Sequence, residues 1–222
     1  MNRSLALSHA FLLGLGGLLF GCGNAPIPPQ GLSLVRIPEQ VFADPANNVL
    51  SPERIELGRL LFFDPILSES GKVACGSCHH PDQAMSDGLP VGRALADPSG
   101  GDLPRSSPSI FDVRYQFAQF WDGRAATLED QALLPIENAR EMGSTIPKAL
   151  SRVSANPEYQ SRFAAAYGEL TASSLARAIA AFGRSVIAND APVDRYLQGD
   201  SAALSKDAAA GFEIYFGKAQ CS

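Results

Sequence analysis

Histidine and cysteine are scarce in this 222-residue sequence, and their scarcity limits the metal sites that it can form. The chain has three histidines and four cysteines, which are His9, His79, His80, Cys22, Cys75, Cys78 and Cys221. Structural zinc needs about four ligands, and His9 and Cys22 belong to a segment that we interpret as a processed leader. A complete nitrogen and sulfur set for zinc is therefore hard to assemble.

The sequence also lacks the features of several other protein classes. Its formal charge of −5 argues against nucleic acid as a partner. No apolar run beyond the leader is long enough to cross a membrane. Strand patterns are poor and no βαβ unit surrounds the C-x-x-C pair, which disfavours a thioredoxin-like redox site. The helical signals that remain predict an all-α fold.

Residues 73–83, VACGSCHHPDQ, contain the pattern C-x-x-C-H. Two cysteines at this spacing could form a redox dithiol or half of a zinc site, but the added histidine makes the pattern the attachment motif of a c-type haem. Cys75 and Cys78 would form thioethers with the haem vinyl groups, and His79 would be the proximal ligand of the iron. Because this interpretation explains all three residues, we predict one haem c on the chain.

Residues 1–21 predict a secretory leader, because a short apolar core follows Arg3 and ends at small residues. Residues 19–22, LFGC, resemble a bacterial lipobox, in which Cys22 is lipidated and becomes the new N-terminus; cleavage without lipidation is the alternative. Either route exports the chain, which suits a haem that is attached outside the bacterial cytoplasm. We expect a periplasmic protein that is lipid-anchored to a bacterial membrane, with residues 22–47 as lipidated N-terminus and linker.

Three segments carry helical signals. Residues 51–63 open with a capping serine, a proline and an early acid, and a second segment with an acidic first turn starts at residue 127. Residues 171–187 carry an apolar stripe at helical spacing, formed by Leu175, Ile179, Phe182 and Val186. Between the first two segments, residues 64–118 are rich in Gly, Pro, Ser and Asp. A loop of this length is unusual, and we expect an apolar cofactor to supply the core around which it wraps.

A short repeat links two distant parts of the chain. Residues 58–63, GRLLFF, recur as residues 211–216, GFEIYF, and each copy ends a predicted helix and precedes a cysteine. The repeat predicts two tandem cytochrome-like units, of which the second has barely begun.

Three stretches together resemble the bacterial superfamily of di-haem cytochrome c peroxidases and methylamine-utilisation maturases. They are residues 57–81, LGRLLFFDPILSESGKVACGSCHHP, residues 106–143, which include FWDGR and REMG, and residues 182–200, FGRSVIANDAPVDRYLQGD. The resemblance runs from about residue 51 to the C-terminus. It implies two cytochrome-c-like domains with one haem each, in which the N-terminal haem handles peroxide and the C-terminal haem supplies electrons.

The resemblance also implies roles for single residues. Trp121 matches the tryptophan that relays electrons between the two haems, and Gln131 and Glu141 match the glutamine and glutamate of the peroxide pocket. A carboxylate there can take a proton from one peroxide oxygen and return it to the other, while a neutral amide can orient the peroxide. Arg124 would pair with a haem propionate or with Asp122.

Two departures from the family pattern bear on the cofactors. Many members place a distal histidine in the loop that corresponds to residues 91–101, whereas this chain has no histidine after His80. We therefore expect a high-spin haem that peroxide reaches without prior reduction. Ser106 stands where many members contribute an asparagine ligand to a calcium ion between the domains, which argues against bound calcium.

The resemblance further predicts where the domains lie. We expect the cytochrome-c-like peroxidatic haem domain, with long loops around the haem, over residues 48–198, and the beginning of a second, electron-transfer haem domain over residues 199–222. Cys221 matches the first cysteine of a second haem motif, and the sequence stops at Ser222. We therefore expect a fragment or truncated product of a longer protein that binds a second haem; a natural mono-haem protein is the alternative.

The leading hypothesis is a periplasmic haem peroxidase that reduces hydrogen peroxide through a second haem, with electrons from a small donor protein such as a cytochrome c or a cupredoxin. The other predicted partners are the membrane, through the lipid anchor, and a second copy of the chain in a homodimer. One alternative is an electron-transfer cytochrome, which needs a sixth iron ligand such as Met85 or Met142. Another is a maturase-like enzyme that oxidises residues of a partner protein.

Overall fold

The structure, a computed structural model, describes residues 43–221, and the predicted leader and Cys22 lie outside this range. Residues 43–191 form one compact unit, and residues 192–221 belong to another. The first unit contains α1 (Pro52–Phe63), α2 (Leu128–Glu137), α3 (Ile146–Ser154), α4 (Pro157–Tyr167) and α5 (Ala172–Ser185), and the second contains α6 (Pro192–Leu197) and α7 (Lys206–Phe216).

The predicted all-α class is confirmed. Residues 43–221 contain isolated β-bridges and no extended strand. None of the helices in this range is both long enough and apolar enough to cross a membrane.

The three predicted helices are present, and each begins directly after the first residue of its predicted segment. The hydroxyl oxygens of Ser51, Thr127 and Thr171 accept hydrogen bonds from backbone N–H groups in the first turns of α1, α2 and α5. Such caps satisfy donors that have no partner inside the helix. Helix α5 ends at Ser185, so Val186, the last member of the predicted stripe, is its C-cap residue and is only partly buried.

The core of the first unit is built on the close packing of α1 against α5. Leu57, Leu61 and Leu175 are fully buried there. Gly58 is required at the crossing, because an added Cβ would overlap the carbonyl oxygen of Ala178 and lie 2.9 Å from Phe182 Cβ. At this crossing the ring of Phe182 on α5 lies 5.0 Å from that of Phe62 and 5.9 Å from that of Phe63 on α1.

A partly buried ion pair fixes α2 against α5. Arg184 donates from both terminal nitrogens to Glu129, at 2.7 and 2.6 Å, and Asn48 Nδ2 donates to Glu129 Oε1 at 2.7 Å. Bidentate pairs of this kind restrict orientation as well as distance. The pair thereby fixes the position of α2, the helix that carries Gln131.

The predicted long loop is irregular, with short 3₁₀ turns at Pro65–Leu67, Cys75–Ser77, Pro81–Gln83 and Val113–Tyr115. It is ordered by its own backbone bonds, such as Leu103 N–H to Gly92 O at 2.7 Å and Ala94 N–H to Gly101 O at 2.9 Å. These bonds fold the loop upon itself and leave its apolar side chains to line a cavity.

The short repeat occurs once in each unit. Residues 58–63 end α1 in the first unit, and residues 211–216 end α7 in the second. The rings of Tyr196 and Phe212 lie 5.6 Å apart, and those of Phe212 and Phe216 lie 4.7 Å apart. No residue of α7 is buried, and Cys221 is exposed.

Candidate functional site

The site is a cavity of about 550 Å³ in the unit formed by residues 43–191. Its volume lies within the roughly 300–1,000 Å³ that is typical of ligand sites. Apolar side chains from α1, α2, α5 and the long loop line it, including Phe62, Ile110, Leu128 and Ile179. Six of the seven predicted site residues line this one cavity: Cys75, Cys78, His79, Trp121, Gln131 and Glu141.

The 3₁₀ turn Cys75–Ser77 places the motif residues in the wall of the cavity. The carbonyl oxygen of Cys75 accepts the N–H groups of Cys78 and His79, both at 3.1 Å. Gly76 fits against Phe63, whose ring Cδ1 would lie 2.5 Å from an added Cβ. Cys75 and Cys78 are not joined in a disulfide. We name Cys75, Cys78 and His79 the cysteine–histidine wall.

Hydrogen bonding determines which ring nitrogen of His79 is free for a metal. Nδ1 lies 3.1 Å from the carbonyl oxygen of Met85. Because a carbonyl only accepts, Nδ1 carries the proton, and Nε2 is left with the lone pair. Burial lowers the pKa of His79, against the opposing effect of the Met85 and Pro108 carbonyls. The lowered pKa favours the neutral ring, which is the form that binds iron.

The two thiols are unlike those of a redox dithiol. Burial raises the pKa of Cys75 to about 12 and also raises the pKa of Cys78. Reactive C-x-x-C pairs have lowered thiol pKa values. Among residues 43–221, no three His, Cys, Asp or Glu side chains are grouped as metal ligands.

These observations fit a c-type haem. The cavity offers a large apolar surface, two unpaired thiols and a neutral imidazole whose Nδ1 is already bonded. Cys75 and Cys78 would hold the haem covalently, and His79 would ligate its iron.

Glu141 lines the same cavity and is held by Asn138. Asn138 Nδ2 donates to Glu141 Oε1 at 2.6 Å, and the Asn138 carbonyl accepts the N–H groups of Glu141 and Gly143 at 3.0 and 2.9 Å. Burial raises the pKa of Glu141, and the Asn138 bond and the charge of Arg124 oppose this shift. We name Gln131, Asn138 and Glu141 the carboxylate wall.

Asn138 is a site residue that the sequence-based prediction missed. It lies three residues before Glu141 in PIENARE, at a spacing that allows an amide to reach a carboxylate across a turn. Gln131 and Pro135 line the cavity one helical turn apart on α2. The carboxylate wall is therefore formed by one face of α2 and the turn that follows it.

Trp121 lies at the rim of the cavity and is 64% exposed. Its Nε1–H donates to the carbonyl oxygen of Ser106 at 3.0 Å. The neighbouring Arg124 pairs with Asp122 at 2.8 Å, one of its two predicted partners, and lies over the ring of Phe120. The indole is thus fixed in position while one side of it faces solvent.

The two methionines predicted as alternative iron ligands differ in position. Met142 is buried and lines the cavity. Met85 is buried in the hydrophobic core, where its backbone contacts His79. Met142 is therefore the better placed of the two for ligation.

The fold and the site together place this chain among haem proteins. The family described as di-haem cytochrome c peroxidase matches residues 52–202. The chain belongs to this family, whose members bind c-type haem.

Curated relatives agree with this assignment. The chain is 40% identical over 192 residues to methylamine utilization protein MauG of Methylorubrum extorquens. The matched region covers 84% of this chain and 53% of the relative. It is 34% identical over 216 residues to cytochrome c551 peroxidase of Pseudomonas aeruginosa, with 96% of this chain and 59% of the relative covered. The chain thus spans about half the length of the curated relatives that it matches.

A similar solved structure is that of a MauG-like protein associated with microbial copper homeostasis. Its TM-score is 0.71 at 34% identity, over 78% of this chain and 51% of that one. The relatives of this chain are thus cytochrome c peroxidases or MauG proteins.

Proposed function

We propose that this chain forms the peroxide-reducing haem portion of a periplasmic di-haem peroxidase, which takes electrons from a small donor protein through a second haem. One observation carries the proposal: Gln131 and Glu141 line the same cavity as Cys75, Cys78 and His79. An acid–base group and a haem attachment site in one cavity are what peroxide reduction requires.

The work of the protein in this reaction is the handling of protons. Each hydrogen peroxide takes up two electrons and two protons and yields two water molecules, and bound haem would supply the electron chemistry. Asn138 occupies Oε1 of Glu141, so Oε2 is the atom that would take a proton from one peroxide oxygen and return it to the other. The neutral amide of Gln131 would orient the peroxide.

Trp121 would relay electrons at the rim. Its exposure and its bond to Ser106 support this role, because the indole is both fixed and accessible from outside the cavity. The electrons would come from the donor protein, which is oxidised as the peroxide is reduced.

A second candidate is a maturase-like enzyme that oxidises residues of a partner protein. It is favoured by the 40% identity to a MauG protein, against 34% to the Pseudomonas aeruginosa peroxidase.

A third candidate is an electron-transfer cytochrome. The position of Met142 in the cavity favours it, because this methionine could be the sixth ligand of the iron.

The test is spectroscopic. The full chain is purified from a host that attaches c-type haem, and its absorption spectrum is recorded with and without H2O2. We expect a high-spin ferric spectrum that changes on addition of H2O2, together with H2O2-dependent oxidation of a small one-electron dye. A low-spin spectrum that H2O2 leaves unchanged would favour the electron-transfer cytochrome.

A second assay separates the peroxidase from the maturase. Steady H2O2 consumption with a reduced small cytochrome c, using the longer di-haem protein, supports the peroxidase. Oxidation of a partner protein without such consumption supports the maturase.

We also propose the domain limits 48–198 and 199–222 and a lipid-anchored periplasmic location. Limited proteolysis tests the domain limits, and we expect cleavage near residue 198. Cell fractionation of a Cys22→Ser variant tests the lipid anchor, because this variant lacks the acceptor of the lipid and should leave the membrane fraction.

A further inference from the structure

The loop that follows the C-x-x-C-H motif presents a backbone carbonyl to His79 in an uncommon conformation. Met85 O accepts the Nδ1–H group at 3.1 Å. Ala84 and Met85 both have positive φ angles, 54° and 56°. Residues other than glycine rarely adopt this conformation, and it persists only where the surrounding structure enforces it. Within the loop, the Met85 N–H donates to the His80 carbonyl at 2.8 Å and the His80 N–H donates to the Ser86 carbonyl at 3.0 Å. Further contacts to this segment come from outside the loop.

Three serine hydroxyls provide these contacts, and we name Ser86, Ser107 and Ser109 the serine staple. Ser109 Oγ donates to the carbonyl oxygen of Ala84 at 2.6 Å. Ser86 Oγ donates to the carbonyl oxygen of Ser107 at 2.7 Å. Ser107 Oγ donates to Asp87 Oδ2 at 2.9 Å. Because the bonds run in both directions between residues 84–87 and 107–109, neither segment can shift without breaking several of them.

Ser109 has the most direct effect on the carbonyl that contacts His79. The Ala84 carbonyl that it holds belongs to the peptide bond leading into Met85. The φ angle of Met85 is the rotation about its N–Cα bond. A fixed Ala84–Met85 peptide plane therefore restricts this angle. The N–H of the same peptide donates to the His80 carbonyl at 2.8 Å, so the Ser109 hydroxyl is the side chain that, together with this backbone bond, orients the Met85 carbonyl toward Nδ1.

We propose that the serine staple holds the Met85 carbonyl against His79 and thereby sets the reduction potential of the haem iron, with Ser109 as the main positioning residue. This inference rests on the proposed ligation of the iron by His79. A hydrogen bond from a ligating histidine to a carbonyl raises the basicity of the ligand. An electron-rich imidazole stabilises ferric over ferrous iron, so a weaker bond raises the reduction potential.

The experiment is a potentiometric titration of the haem-loaded full chain and of Ser109→Ala. We expect the ferrous-to-ferric ratio of Ser109→Ala at a fixed applied potential to rise roughly tenfold, which is about 59 mV for one electron. The iron–histidine stretching frequency of the ferrous protein, measured by resonance Raman spectroscopy, should fall in the same variant. Ser109→Thr keeps a hydroxyl and should restore both values.

Ser99→Ala is the matched control. It removes a loop hydroxyl that donates to Asp97, two residues away, and it should leave both values unchanged. Ser86→Ala removes a second bond of the staple and should shift the potential in the same direction as Ser109→Ala.

The outcomes separate this inference from the proposed function. Unchanged potentials and frequencies in haem-loaded Ser109→Ala and Ser86→Ala would overturn the inference alone. An unmodified chain that takes up no haem would overturn the proposed function as well. If Ser109→Ala does not load haem, a positive shift in Ser86→Ala supports the inference and an unchanged potential overturns it.

Discussion

The cysteine–histidine wall and the carboxylate wall line one cavity but are held in different ways. The key bond of His79 goes to a backbone carbonyl, that of Met85, in a loop segment that several hydrogen bonds hold in place. The key bond of Glu141 comes from one side-chain amide, that of Asn138. The comparison teaches that the His79 ring is oriented by the backbone of a loop, whereas the Glu141 carboxylate is oriented by one replaceable side chain. Four substitutions test this difference.

The largest effect is expected at His79. His79→Ala removes the nitrogen that would ligate the iron, so we expect complete loss of the iron–histidine stretching band and of peroxide turnover. Resonance Raman spectroscopy of the ferrous protein is the measurement. The adjacent His80→Ala is the matched control and should keep both properties. If the band is lost in His80→Ala and kept in His79→Ala, the iron ligand is His80 and the assignment to His79 is wrong.

The next largest effect is expected on the carboxylate wall. Glu141→Gln removes the proton carrier while keeping the shape of the side chain, and it should slow peroxide turnover by about 10²–10⁴-fold at unchanged haem content. Glu137→Gln neutralises an exposed carboxylate at the end of α2, four residues before Glu141, and should have no effect. Equal turnover in the two variants would move the acid–base role away from Glu141.

A third substitution disturbs the support of both walls at once. Gly58→Ala should lower the free energy of unfolding by about 1–3 kcal/mol, because the added Cβ overlaps the Ala178 carbonyl and forces α1 away from α5. Gly211→Ala is the matched control. No described atom lies within 4 Å of its added Cβ, so helix propensity should stabilise that variant by up to about 1 kcal/mol. Thermal unfolding of both variants is the measurement, and equal destabilisation would contradict the close packing at Gly58.

The smallest effect is a shift along the pH axis. Burial raises the pKa of Glu141 and the Asn138 bond lowers it, so Asn138→Ala should raise this pKa further. A carboxylate that accepts a proton must first be ionised, and turnover therefore falls as the pH drops through its pKa. The acidic limb of the pH profile of kcat/KM should move to higher pH in Asn138→Ala. A limb that stays in place would show that Asn138 does not control Glu141.

Local patterns predicted the parts of the fold and site that depend on neighbours in sequence. The caps at Ser51 and Thr127 determine where helices start because a cap bonds within one turn, and C-x-x-C-H is itself a local motif. Helices α3 and α4 are absent from the predicted set, although Thr145 and Asn156 cap them in the same way.

Other features had no signal in the sequence. Ser109 and Ala84 are 25 residues apart, and the positive φ angles of the loop occur without glycine. The exposure of Trp121 is likewise a property of the folded loop, because a tryptophan is more often buried than exposed. These contacts depend on how the long loop folds upon itself, and no periodic pattern determines that.

The most direct test of the central claim is mass spectrometry, after acid–acetone extraction, of the mature chain that is purified on expression of the 222-residue sequence. Haem that is bound by thioethers survives this treatment, whereas haem that is held by ligation alone is removed. We predict a mass increase of one haem, located after tryptic digestion on the peptide of residues 73–93, which contains Cys75 and Cys78. Extraction of all colour, haem on a peptide that lacks these cysteines, or two haems attached to this chain would contradict the claim.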